Sequence, residues 1–237
     1  MKASSYGSNA GKISIVQNSA DALKRKSAVE LTAAVSSSIG EMSFIKLVQW
    51  IRSERLASLP HQGSTWDTVL IRSLHVAERL HKFETSIHGF AAGSNQAGEL
   101  AYSHLRLLLE MGHENSRALN KAFTLFYRCS LAVNALLERS ELLSASYEIQ
   151  EQLCMMLSDL VTLIVEVAIQ FHRSVQDMDS ADSSVSMDLY QVFGETLQAY
   201  DDRRGRIADL IWSSQTDKLD MDEGEARISR NDFELSD

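Results

Sequence analysis

Residues that interrupt helices are scarce in this sequence. Its 237 residues include one proline and eleven glycines. A β-sheet protein of this length would need many turns, and turns depend heavily on these two residue types. The scarcity therefore favours long uninterrupted helices, and a hydrophobic content of 44% is typical of a packed globular domain. We expect an all-α fold.

Cysteine is also scarce. Cys129 and Cys154 are the two in the chain, and both lie in apolar helical segments where a thiol behaves as a small buried hydrophobic group. We expect no structural disulfide.

The first twenty residues lack the apolar core of a secretory signal. They share a Ser- and Lys-containing composition with transit peptides but contain no arginine, so we expect a cytoplasmic protein.

The sequence has no uninterrupted, strongly apolar run long enough to span a membrane. The longest, residues 160–171, has twelve residues and contains Glu166, whereas a spanning helix needs about twenty. This run predicts a buried core helix.

Clustered positive charge is absent as well. The net charge is −9, and residues 215–237 contribute more than half of it, with eight acids against three bases. Binding to a phosphate backbone needs clustered Lys and Arg. We therefore expect no nucleic-acid partner.

The spacing of apolar residues predicts one helical domain with polar ends. Residues 1–18 are rich in Ser, Gly and Asn and are predicted to be disordered. Residues 19–213 are predicted to form a bundle of about six to eight amphipathic helices. Within it, residues 174–188 are predicted to be an exposed polar linker. Residues 214–237 are predicted to be an acidic disordered tail.

The segment from Tyr147 to about Arg173 is apolar around most of its circumference, which predicts the central helix. Two further helices show apolar stripes. The stripe before the proline is predicted to comprise Phe44, Leu47, Val48, Ile51 and Leu56. The stripe of the last helix, at about 187–213, is predicted to comprise Leu189, Val192, Phe193, Leu197, Tyr200, Ile207, Leu210, Ile211 and Trp212, with a kink at Gly205.

The single proline marks a corner between two helices. Pro60 and Gly63 end one helix and turn the chain. Ser64 is a suitable N-cap for the next helix, and Asp67 three residues later places a carboxylate at the positive end of the helix dipole.

Metal-binding patterns are present but incomplete. Glu78 with His81, and Glu110 with His113, each share a helix face as in di-iron carboxylate bundles, but two further inward glutamates would be needed. His81, Glu84 and His88 also share a face, yet no third histidine or cysteine completes a zinc site. We expect no metal, no cofactor and no small-molecule substrate.

Catalytic motifs are absent from the sequence. It contains no P-loop and no nucleophile elbow, and it shows no Cys-His pair. Asp159 and Glu166 place carboxylates on the most apolar helix, where we expect ion pairs or hydrogen bonds to a neighbouring helix. Trp50, Trp66 and Trp212 are expected to lie in the core. We predict a non-enzymatic protein.

Two segments, residues 47–90 and 112–172, resemble the N-terminal helical domain of fungal NACHT and ankyrin STAND proteins, which are NLR-like receptors. The similarity spans about residues 40–213. Its specific residues are Arg52, Glu54, Arg55, Leu59, Pro60, His61, Gly63, Ser64, Trp66 and Asp67, together with the segments 122–127 and 145–153.

The resemblance implies an adaptor or oligomerisation domain that binds proteins, either a second copy or an NLR-like receptor. It assigns no catalytic residue. A NACHT module would be expected after residue 212, where an acidic segment follows instead. A membrane-acting cell-death effector is the alternative, although an acidic chain without a basic amphipathic helix is poorly suited to anionic lipid. A carboxylate-bridged metal enzyme is the third hypothesis.

Overall fold

A computed structural model of the chain describes residues 12–31, 42–112, 115–137, 146–176 and 189–234, with side chains described as far as residue 213. Within these ranges the chain forms seven helices and no strand, which confirms the predicted all-α fold. The helices are α1 (Ile15–Glu30), α2 (Phe44–Ser58), α3 (Thr65–Ile87), α4 (Ser94–Gly112), α5 (Ser116–Leu137), α6 (Tyr147–Gln176) and α7 (Leu189–Glu234).

Helix α6 is the centre of the bundle, as predicted. It packs most extensively against α1, α4 and α7 and also contacts α3 and α5. Seventeen of its residues are buried, from Ile149 to His172. By length and composition it is the one helix in the described ranges that could cross a membrane, but 78% of its most apolar window is buried inside the bundle. Its apolar surface is therefore accounted for by packing.

Helices α3 and α5 form the most extensive helix pair. Polar contacts run along their edge. Arg72 Nη1 donates a hydrogen bond to Asn120 Oδ1 and a 2.7 Å bond to Thr124 Oγ1, and the Arg79 guanidinium lies 4.2 Å from the centre of the Tyr127 ring. These contacts fix the register of the two helices while their apolar faces point inward.

Structure begins earlier than the sequence predicted. Ile13 is buried, and its backbone pairs with the turn after α3: its N–H donates to Phe90 O (2.8 Å), and its carbonyl accepts from Ala92 N (2.9 Å). Helix α1 then starts at Ile15. The predicted disorder of residues 1–18 is therefore wrong for residues 12–18, and residues 1–11 lie outside the described ranges. A contact between residues so distant in sequence leaves no local signal.

The predicted ends of the last two helices also need correction. Helix α6 continues to Gln176, so the predicted linker 174–188 starts too early, and residues 177–188 lie outside the described ranges. The backbone of α7 is helical to Glu234, past the predicted end at residue 213. The predicted disorder of the acidic segment 214–237 stays a prediction.

Three residues assigned to apolar stripes are exposed: Leu56 (74%), Val192 (54%) and Trp212 (73%). Leu56 follows Ile51 by five residues, which turns it about 140° away from the buried stripe. Trp212 follows buried Ile211 by one residue, about 100° around the helix. The irregular residue of α7 is Phe193, with φ −114° and ψ 15°, and not Gly205.

Candidate functional site

The corner between α2 and α3 is organised around the buried carboxylate of Asp67. Its Oδ1 accepts a 2.9 Å hydrogen bond from Arg55 Nε in the last turn of α2. Its Oδ2 accepts a 3.2 Å bond from the backbone N–H of Gly63. Its own N–H donates to Ser64 Oγ at 3.1 Å, which confirms the predicted N-cap. One residue therefore ties together both helices and the turn that joins them.

Two residues of the corner have left-handed backbone conformations. Gly63 has φ 79°, which glycine adopts without steric cost. Leu59 is the C-cap of α2, with φ 37° and ψ 53°, where Gly or Asn is the usual choice. For a residue with a Cβ this conformation costs about 1–2 kcal/mol. Leu59 is 78% exposed, so no burial of its side chain offsets that cost.

The outer side of the corner presents a mixed apolar and basic surface. We call the exposed side chains of Arg52, Arg55, Leu56, Leu59 and His61 the corner surface. Arg52, Arg55 and Leu56 lie at positions i, i+3 and i+4, a spacing that places them along one face of α2, and Leu59 directly follows the end of that helix.

The structure brings some of the residues that carry the family resemblance into one network and leaves others outside it. Arg55, Gly63, Ser64 and Asp67 form the hydrogen-bonded core of the corner. Trp66 is buried in the first turn of α3. The remaining residues are exposed or half-buried, and they are Arg52, Glu54, Leu59, Pro60 and His61. The resemblance therefore coincides with a structural corner.

Residues of the incomplete metal-binding patterns have other partners in the structure. Glu110 pairs with Arg106 at 2.7 Å, and His113 lies outside the described ranges. His88 Nδ1 lies 3.0 Å from Ser94 Oγ. Across the described part of the chain, no group of three or more His, Cys, Asp and Glu side chains could hold a metal ion.

His81 and Glu84 do meet, in a cleft of about 300 Å³ between the start of α2 and helices α3 and α4. Glu84 is 7% exposed, and its Oε2 accepts a 2.8 Å hydrogen bond from the Tyr102 hydroxyl. His81 Nδ1 lies 3.8 Å from the same oxygen and has no hydrogen-bond partner although the atom is buried. The Phe44 ring stacks on His81, with centroids 4.3 Å apart. Burial raises the pKa of Glu84 above its ordinary value, against the lowering effect of the Tyr102 hydrogen bond.

Gly98 allows the Glu84 carboxylate to approach the backbone of α4. A Cβ at position 98 would lie 2.3 Å from Glu84 Oε2, which is far inside van der Waals contact. The shared helix face of His81 and Glu84 is visible in the sequence, but the contacts of Gly98, Tyr102 and Phe44 with them are not. Gly98 in an early turn of a helix was the available signal, because an isolated helical glycine with a packing role marks a close approach.

The carboxylates of the central helix form ion pairs with neighbouring helices, as predicted. Glu166 pairs with Lys26 of α1. Asp159 Oδ2 accepts a 2.6 Å hydrogen bond from Arg203 Nε of α7. These pairs hold α1 and α7 against α6, a structural role.

Comparison of the chain with protein-family models, with curated proteins and with solved structures gives no match.

Proposed function

We propose that this chain is a non-catalytic helical module of cytoplasmic NLR-like signalling that associates with proteins through the corner surface. The observation that carries the proposal is Leu59, an exposed leucine in a left-handed backbone conformation. Backbone strain that no packing offsets is typical of functional positions. The resemblance to receptor N-terminal domains supports the same interpretation.

The corner is suited to binding because it is rigid before a partner arrives. The hydrogen bonds of Asp67 connect both helices to the turn, so little conformational entropy would be lost on association. Burial of Leu56 or Leu59 in an interface would contribute about 1.5–3 kcal/mol to the free energy of association.

Charge and polarity indicate which partner fits. Arg52, Arg55 and His61 make the corner surface basic in a chain of net charge −9. Residues 215–237 of the same chain carry eight acids against three bases and include Leu219, Met221, Ile228 and Phe233. The C-terminal segment of a second copy therefore offers the complementary charge and apolar side chains, and we propose self-association through this contact.

Light scattering over a concentration series tests the proposal. The wild-type chain is expected to self-associate, and more weakly at high salt because the contact includes ion pairs. Leu59→Asn keeps a residue that tolerates the left-handed conformation but removes the apolar side chain, and it should weaken association about tenfold or more. Val29→Asn removes an equally exposed apolar side chain from α1 and serves as the control. A wild-type chain that stays monomeric at high concentration contradicts the proposal, as does an unchanged Leu59→Asn variant.

A further inference from the structure

We propose that the cleft formed by the start of α2 and helices α3 and α4 binds a small organic ammonium ion, with Glu84 as its counter-charge. This ligand site is independent of the corner surface, and it goes beyond the sequence-based expectation of no small-molecule ligand.

Two buried carboxylates differ in the partners that the protein gives them. Asp67 and Glu84 are the two buried carboxylates among the described side chains. Asp67 faces the Arg55 guanidinium at 2.9 Å. Glu84 Oε2 accepts a hydrogen bond from the Tyr102 hydroxyl and lies 3.8 Å from His81 Nδ1. None of the nine residues that line the cleft is Lys or Arg. A buried carboxylate in its charged form is stabilised by a cation, and the lining of this cleft supplies no permanent one.

Aromatic and polar side chains line the cleft. Phe44 and Tyr102 contribute two aromatic rings, 6.1 Å between centroids, and Glu99 adds a second carboxylate that is itself exposed. Aromatic faces attract cations, most strongly where water is excluded. Ser43, Thr85 and Asn95 also line the cleft and offer oxygen acceptors, which suit the three N–H donors of a primary ammonium.

The lining of the cleft is poorly suited to other classes of ligand. An anion would meet two carboxylates and no Lys or Arg in the lining. A metal ion would need more ligands than the cleft offers, since no metal-holding cluster occurs in the described part of the chain. The volume of about 300 Å³ is at the lower end of small-molecule sites. The remaining class is a small amine that carries an apolar group.

Calorimetric titration with n-butylammonium chloride tests the site. Saturable binding with a dissociation constant below about 50 mM is expected for a probe of this size. Sodium chloride at equal ionic strength and n-butanol should not reproduce it, because the first lacks the apolar group and the second lacks the charge. No saturable binding, or equal binding of n-butanol, overturns the proposal.

Two variants locate the binding. Glu84→Gln keeps an oxygen that can accept from the Tyr102 hydroxyl but removes the charge, and it should weaken binding at least tenfold. Phe44→Leu removes one ring face and should weaken it about threefold or more. Glu110→Gln neutralises an exposed carboxylate on α4, outside the lining of the cleft. It is the matched control, and this variant should bind n-butylammonium as the wild type does. If Glu84→Gln fails to fold, Phe44→Leu decides the question. Wild-type affinity in a folded Glu84→Gln or Phe44→Leu variant overturns the assignment.

Discussion

Arg55 Nε donates a 2.9 Å hydrogen bond to Asp67 Oδ1, and the two partners differ sharply in exposure. The side chain of Asp67 is 4% exposed, whereas that of Arg55 is 50% exposed. Water can hydrate Arg55 after the bond is broken, but Asp67 would remain a buried charge with one backbone N–H as its donor. The carboxylate is therefore the member of the pair that depends on its partner.

This asymmetry predicts a non-additive pair of variants. Arg55→Met should lower the free energy of unfolding by about 1–3 kcal/mol, because it leaves the Asp67 charge uncompensated. Addition of Asp67→Asn should restore part of that loss, since a neutral amide can still accept from Gly63 N–H. Urea unfolding of the single and double variants measures both effects, with Asp209→Asn on the exposed side of α7 as the control. A double variant whose loss equals the sum of the single losses would contradict this account.

Substitution of alanine for glycine is predicted to change the stability of the fold in opposite directions at two positions. Gly93 has φ 76°, and a Cβ there would lie 2.7 Å from the backbone Cα of Gln17. Gly205 lies inside α7, and apart from the adjoining helix backbone no described atom lies within 4 Å of the position that a Cβ would take there. Gly93→Ala should destabilise the fold by about 2 kcal/mol or more, and Gly205→Ala should stabilise it by about 0.5–1 kcal/mol.

Thermal unfolding of the two glycine variants gives the sign of each change. Gly63→Ala separates the two causes at Gly93, because Gly63 shares the positive φ but has open space around its Cβ position. Its loss should be smaller than that of Gly93→Ala. Equal losses would mean that the contact with α1 contributes nothing.

The sequence predicted features that depend on neighbours along the chain. Scarce proline and glycine predicted the all-α fold, apolar periodicity predicted the central position of α6, and Ser64 with Asp67 predicted the start of α3. Each of these depends on residues within one helix or one turn. Local spacing therefore carries enough information for them.

Features that depend on contacts between distant segments were missed. The pairing of Ile13 with Phe90 and Ala92 extends the described structure toward the N-terminus, and nothing near Ile13 signals it. The cleft around Glu84 combines residues of three helices. The Glu-His spacing on α3 therefore could not show that Glu84 also accepts a hydrogen bond from the Tyr102 hydroxyl on α4. Only the packing of the helices identifies such a group.

His104 is predicted to make the fold sensitive to mild acid. The residue is fully buried in α4, its Nδ1 lies 2.7 Å from Leu100 O, and its Nε2 lies 3.0 Å from Ser27 Oγ of α1. A carbonyl oxygen only accepts, so Nδ1 carries the proton and Nε2 accepts from the serine hydroxyl. Burial lowers the pKa of His104 from 6.5 to about 4.

The direction of the pH effect follows from which state binds the proton. Between pH 6.5 and about 4 the unfolded chain is protonated at His104 and the folded chain is not. Stability from this group is therefore complete above pH 6.5 and is lost as the pH falls toward 4, by about 3 kcal/mol in total. The double variant Ser27→Ala/His104→Leu removes the titrating group together with its partner. As the pH falls across this window, the unfolding free energy of the wild type should fall relative to that of the double variant. A difference that stays constant with pH would contradict the assignment.

Both cysteines are predicted to be unreactive until the bundle unfolds. Cys129 and Cys154 are free and buried, and burial raises the pKa of each thiol to about 12. At pH 8 only about one thiol in ten thousand would be ionised, and the thiolate is the reactive form. Cys129 borders a cavity of about 260 Å³ between α5 and α7, so a reagent could approach it more easily than Cys154. Titration with a disulfide reagent at pH 8 should give almost no reaction in the folded state and two thiols per chain in urea, and fast labelling of Cys129 in the folded state would show that α7 leaves α5 readily.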